Sequence, residues 1–263
     1  MRRRSPSELQ ARASYLDFAR RIDPNNRVNP PTSGPIWQYW NSGRDTAPDI
    51  VRQCFDSVVR WTSGREHHVL SAATVADFIE LPPWITKKID SIGQTHFSDI
   101  LRAYLLSSRG GTWIDATVFI SGPIDHLINV PYFAFSRPND PYLLSSWFMH
   151  SSQGHPIPLA LAEMLSLYWE ERDSLQDYFT IHYMFECGLT LHRELRSAWL
   201  QAPLHWADKP HWLQLNFGAS PPDETLQEIL KNTSVHKLTW KFDREYTTIL
   251  LKCLDRVQSL ASG

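Results

Sequence analysis

The chain is poor in cysteine, in long apolar runs and in net charge, and each shortage excludes something. Three cysteines, Cys54, Cys187 and Cys253, are scattered through 263 residues. They form no CxxC pair and no zinc spacing, so free thiols in a reducing compartment are expected, and the cytoplasm is the location inferred. No stretch reaches the ~18 apolar residues that a membrane helix needs. The sequence opens MRRRSPSELQ, but no apolar core follows the arginines as it would in a signal peptide. Peripheral contact with the inner face of a membrane, through those arginines, is the one membrane role suggested. The formal net charge is −2, so there is no basic field to hold a nucleic acid by its phosphates. No internal repeat is visible.

What is present is globular in character. Hydrophobic residues make up 42% and charged residues 21%, a composition that folds. A single domain of this length buries about three-quarters of the surface of its unfolded chain and needs no covalent staples. The eleven tryptophans are the compositional excess. Such rings fill cores, and they also line sites for sugars and nucleobases, where a flat apolar face is wanted.

Residues 1–22 have a helical pattern that stops at Asp23-Pro24, and the prolines and glycine of 23–34 read as a linker. The aromatic run PIWQYW at 35–40 is the first strand, followed by a helix over 48–61 and a strand over 67–70. Short helices over 74–79 and 84–91 come next. This strand and helix alternation argues for a mainly parallel α/β sheet. The stretch 97–121, FSDILRAYLLSSRGGTWIDATVFIS, then carries the chemistry. Ser98 or Thr95 is positioned to cap a helix that ends at Gly110-Gly111, where glycine accepts a left-handed backbone. A buried strand over 112–114 follows and breaks at Ala116-Thr117, and 118–120 resumes it. Strands are expected over 132–136 and 146–150. The second half turns helical, over 156–172 and over 175–200 with an interruption near Gly188. Residues 202–222 show no period and read as irregular. A helix over 223–231, a strand or site loop over 235–240 and a terminal helix over 244–260 complete the chain.

Within this frame Asp115 stands out, because a carboxylate after three buried strand residues is costly unless paired or metal-bound. Ligands gather at the carboxyl ends of strands in α/β sheets, and a carboxylate there can hold Mg2+ or Mn2+ against a diphosphate. The bland alternative is an aspartate capping a turn. Asp99 and Arg102, three apart on a helix, either pair with each other or together grip hydroxyls. His236, Lys237 and Lys241 suit the charge that develops on a leaving diphosphate, or else mark a solvated strand edge. Trp37 and Gln38 can stack on and hydrogen-bond a base, with core packing the competitor. Ser146, Trp147 and His150 form a further aromatic and polar cluster.

Taken in order, IWQYW at 36–40, HFSDILRAYLL at 96–106, GGTWIDATVF at 110–119, SSWFMH at 145–150 and SVHKLTWK at 234–241 resemble the capsular polysaccharide synthesis proteins. These are similar to the glycosyltransferase family 32 group, whose sugar-transferring domains carry an Asp-x-Asp motif. The resemblance spans roughly residues 35–241 and several ordered motifs, which is more specific than any short pattern. It implies a GT-A fold, a Rossmann-like nucleotide-binding sheet flanked by helices with a helix-rich C-terminal half. It implies one domain over 35–263 after the helix and linker of 1–34, with a donor half near 35–135 and an acceptor half near 136–263. It implies a nucleotide-sugar donor, UDP-linked in most relatives, a glycan or lipid-linked glycan acceptor, a divalent cation (Mn2+ or Mg2+), and retention of anomeric configuration.

Carried over residue by residue, Trp37 lies by the nucleobase with Gln38. Ser98, Asp99 and Arg102 hold the donor sugar, and Trp113 packs beside it. Asp115 is the first carboxylate of the motif. Lys237 and Lys241 face the diphosphate, and His236 faces the metal or the diphosphate. The acceptor side falls to Ser146, Trp147 and His150. One departure is visible: the motif reads Asp115-Ala116-Thr117, and Thr117 offers a neutral oxygen where relatives have the usual metal-binding carboxylate. His236 or a water can complete the shell, or the charge of Lys237 can replace part of it. Two other readings stand beside transfer. One is a non-catalytic nucleotide- or glycan-binding module derived from such an enzyme. The other is a metal-dependent phosphoesterase using Asp99, Asp115 and Asp125.

Overall fold

The structure, a computed structural model, describes residues 6–24, 34–137 and 143–262; the N-terminal arginines and most of the expected linker lie outside them. Helix α1 (Pro6–Arg20) precedes β1 (Ile36–Tyr39), α2 (Asp49–Trp61) and β2 (His67–Leu70). Short helices α3 (Val75–Phe78) and α4 (Pro83–Lys87) lead into α5 (Ile89–Ser108). Then come β3 (Gly111–Ile114), β4 (Val118–Ile120), α6 (Asp125–Ile128), β5 (Tyr132–Ser136) and β6 (Leu144–Ser151). The second half holds α7 (Pro156–Glu171), α8 (Thr180–Leu191), α9 (Arg193–Gln201), α10 (Asp208–Asn216) and α11 (Asp223–Asn232), then β7 (Val235–Lys237) and α12 (Arg244–Ser262).

The protein is an α/β fold around a five-stranded sheet in the order β2-β1-β3-β6-β5. The sheet is mixed where the sequence suggested a mainly parallel one. β1 runs parallel to β2 and to β3, but β6 is antiparallel to both β3 and β5. The cause is the connection between β5 and β6. It spans residues 137–143, too short for the helical crossover that parallel neighbours require.

Alternate strand residues serve opposite faces of the sheet. Trp37, Trp113, Tyr132 and Met149 pack under α1, α5, α7 and α8. Ile36, Ile114, Phe133 and Phe148 pack against β4, α6 and Val58 of α2. Both faces are therefore buried, which explains why the strands read as continuous apolar runs. Helix α1 belongs to the first of these layers through Tyr15, Phe18 and Ala19. Strand β7 pairs antiparallel with β4 in a separate two-stranded ribbon.

Three local expectations are corrected. Helix α5 begins at Ile89 and passes through Gly93, whose φ of 70° breaks the helical geometry. Ser98 is thus inside the helix, its hydroxyl donating to the Thr95 carbonyl at 2.6 Å, and caps nothing. The interruption expected near Gly188 lies at His192, between α8 and α9. Gly188 stays inside α8, and because a Cβ there would meet the Leu195 side chain at 3.0 Å, the missing side chain lets α9 approach. The stretch 202–222 contains α10, which was hidden because only Pro210 and Leu213 of that helix are buried and no apolar stripe results.

Candidate functional site

The turn after β3 places the site. Gly110 and Gly111 have φ of 67° and 97°, which lets α5 reverse directly into β3. β3 hands over to Asp115 just past its end, and the Asp115 carbonyl accepts from Val118 N at 2.9 Å, closing a tight turn over Ala116 and Thr117. The end of β1, the end of β3 and the start of β6 meet at this edge of the sheet, as the parallel and antiparallel registers require. A cavity of about 730 Å3 opens there. One stripe of α5 faces it through Thr95, Ser98, Asp99 and Arg102, residues one helical turn apart.

Arg102 is the hub. Its Nη1 lies 2.7 Å from Asp99 Oδ1 and donates to Ser146 Oγ at 2.6 Å. Its Nη2 reaches Asp115 Oδ1 at 3.0 Å and Ser98 Oγ at 3.1 Å. The guanidinium also lies 5.1 Å from the centre of the Trp113 ring, and Trp113 Nε1 donates to Asp115 Oδ1 at 2.8 Å. On the other side, Lys237 Nζ meets Asp115 Oδ2 at 3.0 Å and Thr117 Oγ1 at 2.7 Å. The ribbon register explains this reach, because Lys237 is paired directly with Val118. Burial pushes the Asp115 carboxyl up, but Lys237, Arg102 and the hydrogen bonds from Trp113 and Lys237 outweigh it. The group is held below its ordinary value of 3.8 and is a carboxylate at neutral pH.

Most of the residues expected from sequence come together here. Ser98, Asp99, Arg102, Trp113, Asp115, Thr117, Ser146, Trp147, Lys237 and Lys241 all line the cavity. Trp37, Gln38, His150 and His236 do not. Trp37 shares a sheet face with its register partner Trp113 but sits two residues back from the strand end, where its Nε1 donates to the Gly110 carbonyl at 2.9 Å and its ring stacks on His68. Gln38 lies beneath the site, hydrogen-bonded to His67 at 2.8 Å. His150 pairs with Thr112 through Nδ1 at 2.8 Å, three residues past Trp147 and so about 10 Å further along the strand. His236 is fully buried, bonded to Ser121 Oγ at 2.8 Å, and burial lowers its pKa to about 4. The two-residue period of β7 turns it away from the face that Lys237 shares with Asp115.

Several lining residues had no sequence signal. Trp40 closes the aromatic run of β1 and meets Trp240 edge-on at 5.6 Å. Arg137, Tyr178, His182, His211 and Gln214 also line the cavity; the last two ride on α10, the helix that the sequence concealed. Asp125 sits away from the cavity, paired with Arg65 at 3.3 Å, so the three aspartates of a phosphoesterase reading do not converge.

The capsular polysaccharide synthesis protein family matches the chain over residues 8–253. The chain belongs to that family. No curated protein matches it. One solved structure similar to it is described as "PaToxG Glycosyltransferase", at 10% identity and a TM-score of 0.43, covering 97% of this chain and 94% of that chain; so distant a likeness carries no functional weight.

The donor set of this capsular polysaccharide synthesis family member does not fit a divalent cation. Such ions take about six oxygen ligands, and where a substrate's phosphates and water supply most of them one or two free carboxylates suffice. Here Asp115 Oδ1 already accepts from Arg102 and Trp113, and Oδ2 from Lys237. Among the described residues no three His, Cys, Asp or Glu side chains cluster as a metal group. The same residues show no helix long and apolar enough to cross a membrane.

Proposed function

We propose that the protein is a glycosyltransferase of capsular or other surface polysaccharide synthesis. It moves a sugar from a nucleotide-sugar, UDP-linked, to a glycan or lipid-linked glycan acceptor, with retention at the anomeric carbon. The observation that carries this reading is the ion cluster at the end of β3. A charged Asp115 lies between Arg102 and Lys237, in an aromatic-walled cavity of about 730 Å3 large enough for a nucleotide and a sugar. Among the described residues the cavity edge carries Arg102, Lys237 and Lys241 against the carboxylates of Asp99 and Asp115, a positive balance that suits a diphosphate. Trp147, Trp240 and Tyr178 supply flat apolar surface for sugar or base.

Roles follow from which donors are already engaged. Arg102 uses its terminal N–H groups on Asp99, Ser146, Ser98 and Asp115, so it acts as a positioning residue; the Ser98 hydroxyl is spent on the Thr95 carbonyl and Arg102, which leaves the Ser146 hydroxyl proton to face the donor sugar. In the transfer step the bond from the anomeric carbon to the phosphate oxygen breaks, and the electron pair leaves with that oxygen. The acceptor hydroxyl forms its new bond on the same face and gives its proton to the departing phosphate. Lys237 and Lys241 stabilise the charge that develops there.

The test is nucleoside diphosphate release by the full chain from a panel of nucleotide-sugars, alone and with an extract containing acceptor glycans. Slow hydrolysis of at least one donor is expected, and Asp115→Asn is expected to reduce it by about a hundredfold or more while the chain, though less stable, stays folded at assay temperature by circular dichroism. No release from any donor, with or without extract, would overturn the proposal. Tight nucleotide binding without turnover would favour the non-catalytic binding module instead.

A further inference from the structure

Lys237 occupies the place at Asp115 that a metal would otherwise claim. Its ammonium is fixed by two contacts, Asp115 Oδ2 at 3.0 Å and Thr117 Oγ1 at 2.7 Å. An ammonium has three N–H donors; the third has no acceptor among the described residues, and the side chain, 18% exposed, lines the cavity. The backbone fixes the arrangement from both strands. Val118 pairs with Lys237 in the ribbon, and Leu238 N donates to the Thr117 carbonyl at 2.8 Å. The ammonium is thus anchored to the turn itself and does not hang from a mobile loop. A dication set between Asp115 and Thr117 would have to displace it, and would then stand beside Lys237 and Arg102, with Asp115 already shared between them and Asp99 spent on Arg102.

Resting on the transfer reading above, we infer that Lys237 is the built-in cation of this site: its ammonium, held by Asp115 and Thr117, binds the donor's diphosphate directly, and binding needs no divalent metal. The neutral Thr117 is then the fitting partner. It accepts from the ammonium through its hydroxyl oxygen without adding a negative charge, whereas a second carboxylate would cancel the positive balance, supplied with Lys241, that the diphosphate must meet. Lys241, in the same lining, adds a second positive group on the phosphate side.

The proposal separates cleanly from its parent. Calorimetric titration of the full chain with UDP and with GDP, in EDTA and again in Mn2+, is the measurement. Affinities equal within about twofold in the two buffers are expected, since the binding charge is the protein's own. Lys237→Met is expected to weaken binding by about tenfold or more in both buffers, and Lys237→Arg to recover part of the loss. Direct titration of Mn2+ into the nucleotide-free protein, followed by the paramagnetic resonance of the free ion, should show no uptake in the sub-millimolar range. Binding that appears only with Mn2+, or Mn2+ uptake by the free protein, would overturn the inference and leave the transfer reading standing. Binding of neither nucleotide in either buffer would overturn both. The comparison of buffers on the native chain needs no variant, so a poorly folding Lys237→Met does not blunt it.

Discussion

Arg102 shows what a buried charge does when its terminal N–H groups are all engaged, with Nε the one donor left without a partner among the described residues. Its side chain is 5% exposed and that of Asp99 10%, so water contributes little to either. Breaking such a pair from one side costs more than the pair itself contributes, because the remaining charge is stranded. Arg102→Ala is therefore expected to lower the unfolding free energy by about 3–5 kcal/mol, read from the urea midpoint, in addition to any effect on donor binding. His96, 3.5 Å from Asp99 Oδ2, is too poorly placed to take over. Removing both charges together, in Asp99→Asn with Arg102→Met, should recover part of the loss. A midpoint unmoved by Arg102→Ala would mean that solvent already screens the cluster as it does a surface pair. At this scale the sequence revealed the helical pair, since Asp99 and Arg102 share a face by spacing alone. It could not reveal that Arg102 reaches past its neighbour to Asp115, nor that Lys237 does so from 122 positions away; both depend on strand register.

The elements that were readable are those whose residues carry a period and a punctuating turn. β1, α2, β2, β4 and β5 fall within a residue or two of their expected bounds because apolar runs end at Asn41-Ser42-Gly43, at Gly64 or at Pro123. What the period does not say is how far along a strand the cavity reaches or which face looks into it: Trp37 lies two residues short of the strand end and His236 faces away, while Trp40 and Trp240 line the cavity. The α5 to β3 connection was read for the right reason, and the structure sharpens the requirement. At Gly111, φ is 97°, and a Cβ would lie 2.2 Å from the Pro35 carbonyl oxygen, which itself accepts from Thr112 N at 2.9 Å. The contact is backbone against backbone, so no side chain can move aside. Gly111→Ala should therefore destabilise by about 2–4 kcal/mol and shift the turn that carries Asp115, lowering donor hydrolysis with it. Gly64→Ala is the control. It too has positive φ, 92°, but nothing lies within 4 Å, so only the conformational strain of about 1 kcal/mol is expected. Equal losses in the two variants would show that the close approach at Gly111 adds nothing.

Across the whole molecule, acid should act through histidines before it acts through the site. Burial lowers His67, His150, His155 and His236 from an ordinary 6.5 to about 4, so the folded chain keeps them neutral where the unfolded chain protonates them. Between those values the unfolded state binds more protons, and stability falls as pH drops from 6.5 toward 4. For His236, fully buried, the shift is worth on the order of 3 kcal/mol once the window has been crossed. The other three act in the same direction, so the urea midpoint is expected to fall steadily as pH drops through this interval. Asp115 acts later and independently. Its folded value is depressed below 3.8, so its contribution is complete above the unfolded value and is lost only as pH falls through the folded one. Two regimes are thereby distinguishable in urea unfolding followed at several pH values. A slope between 6.5 and 4 that His236→Phe partly flattens, and that Asp115→Asn leaves unchanged, is the expected pattern. A stability that stays level across that interval would mean that these rings take up protons in the folded state, and that the layers around β3, β6 and β7 admit water which the packing described above excludes.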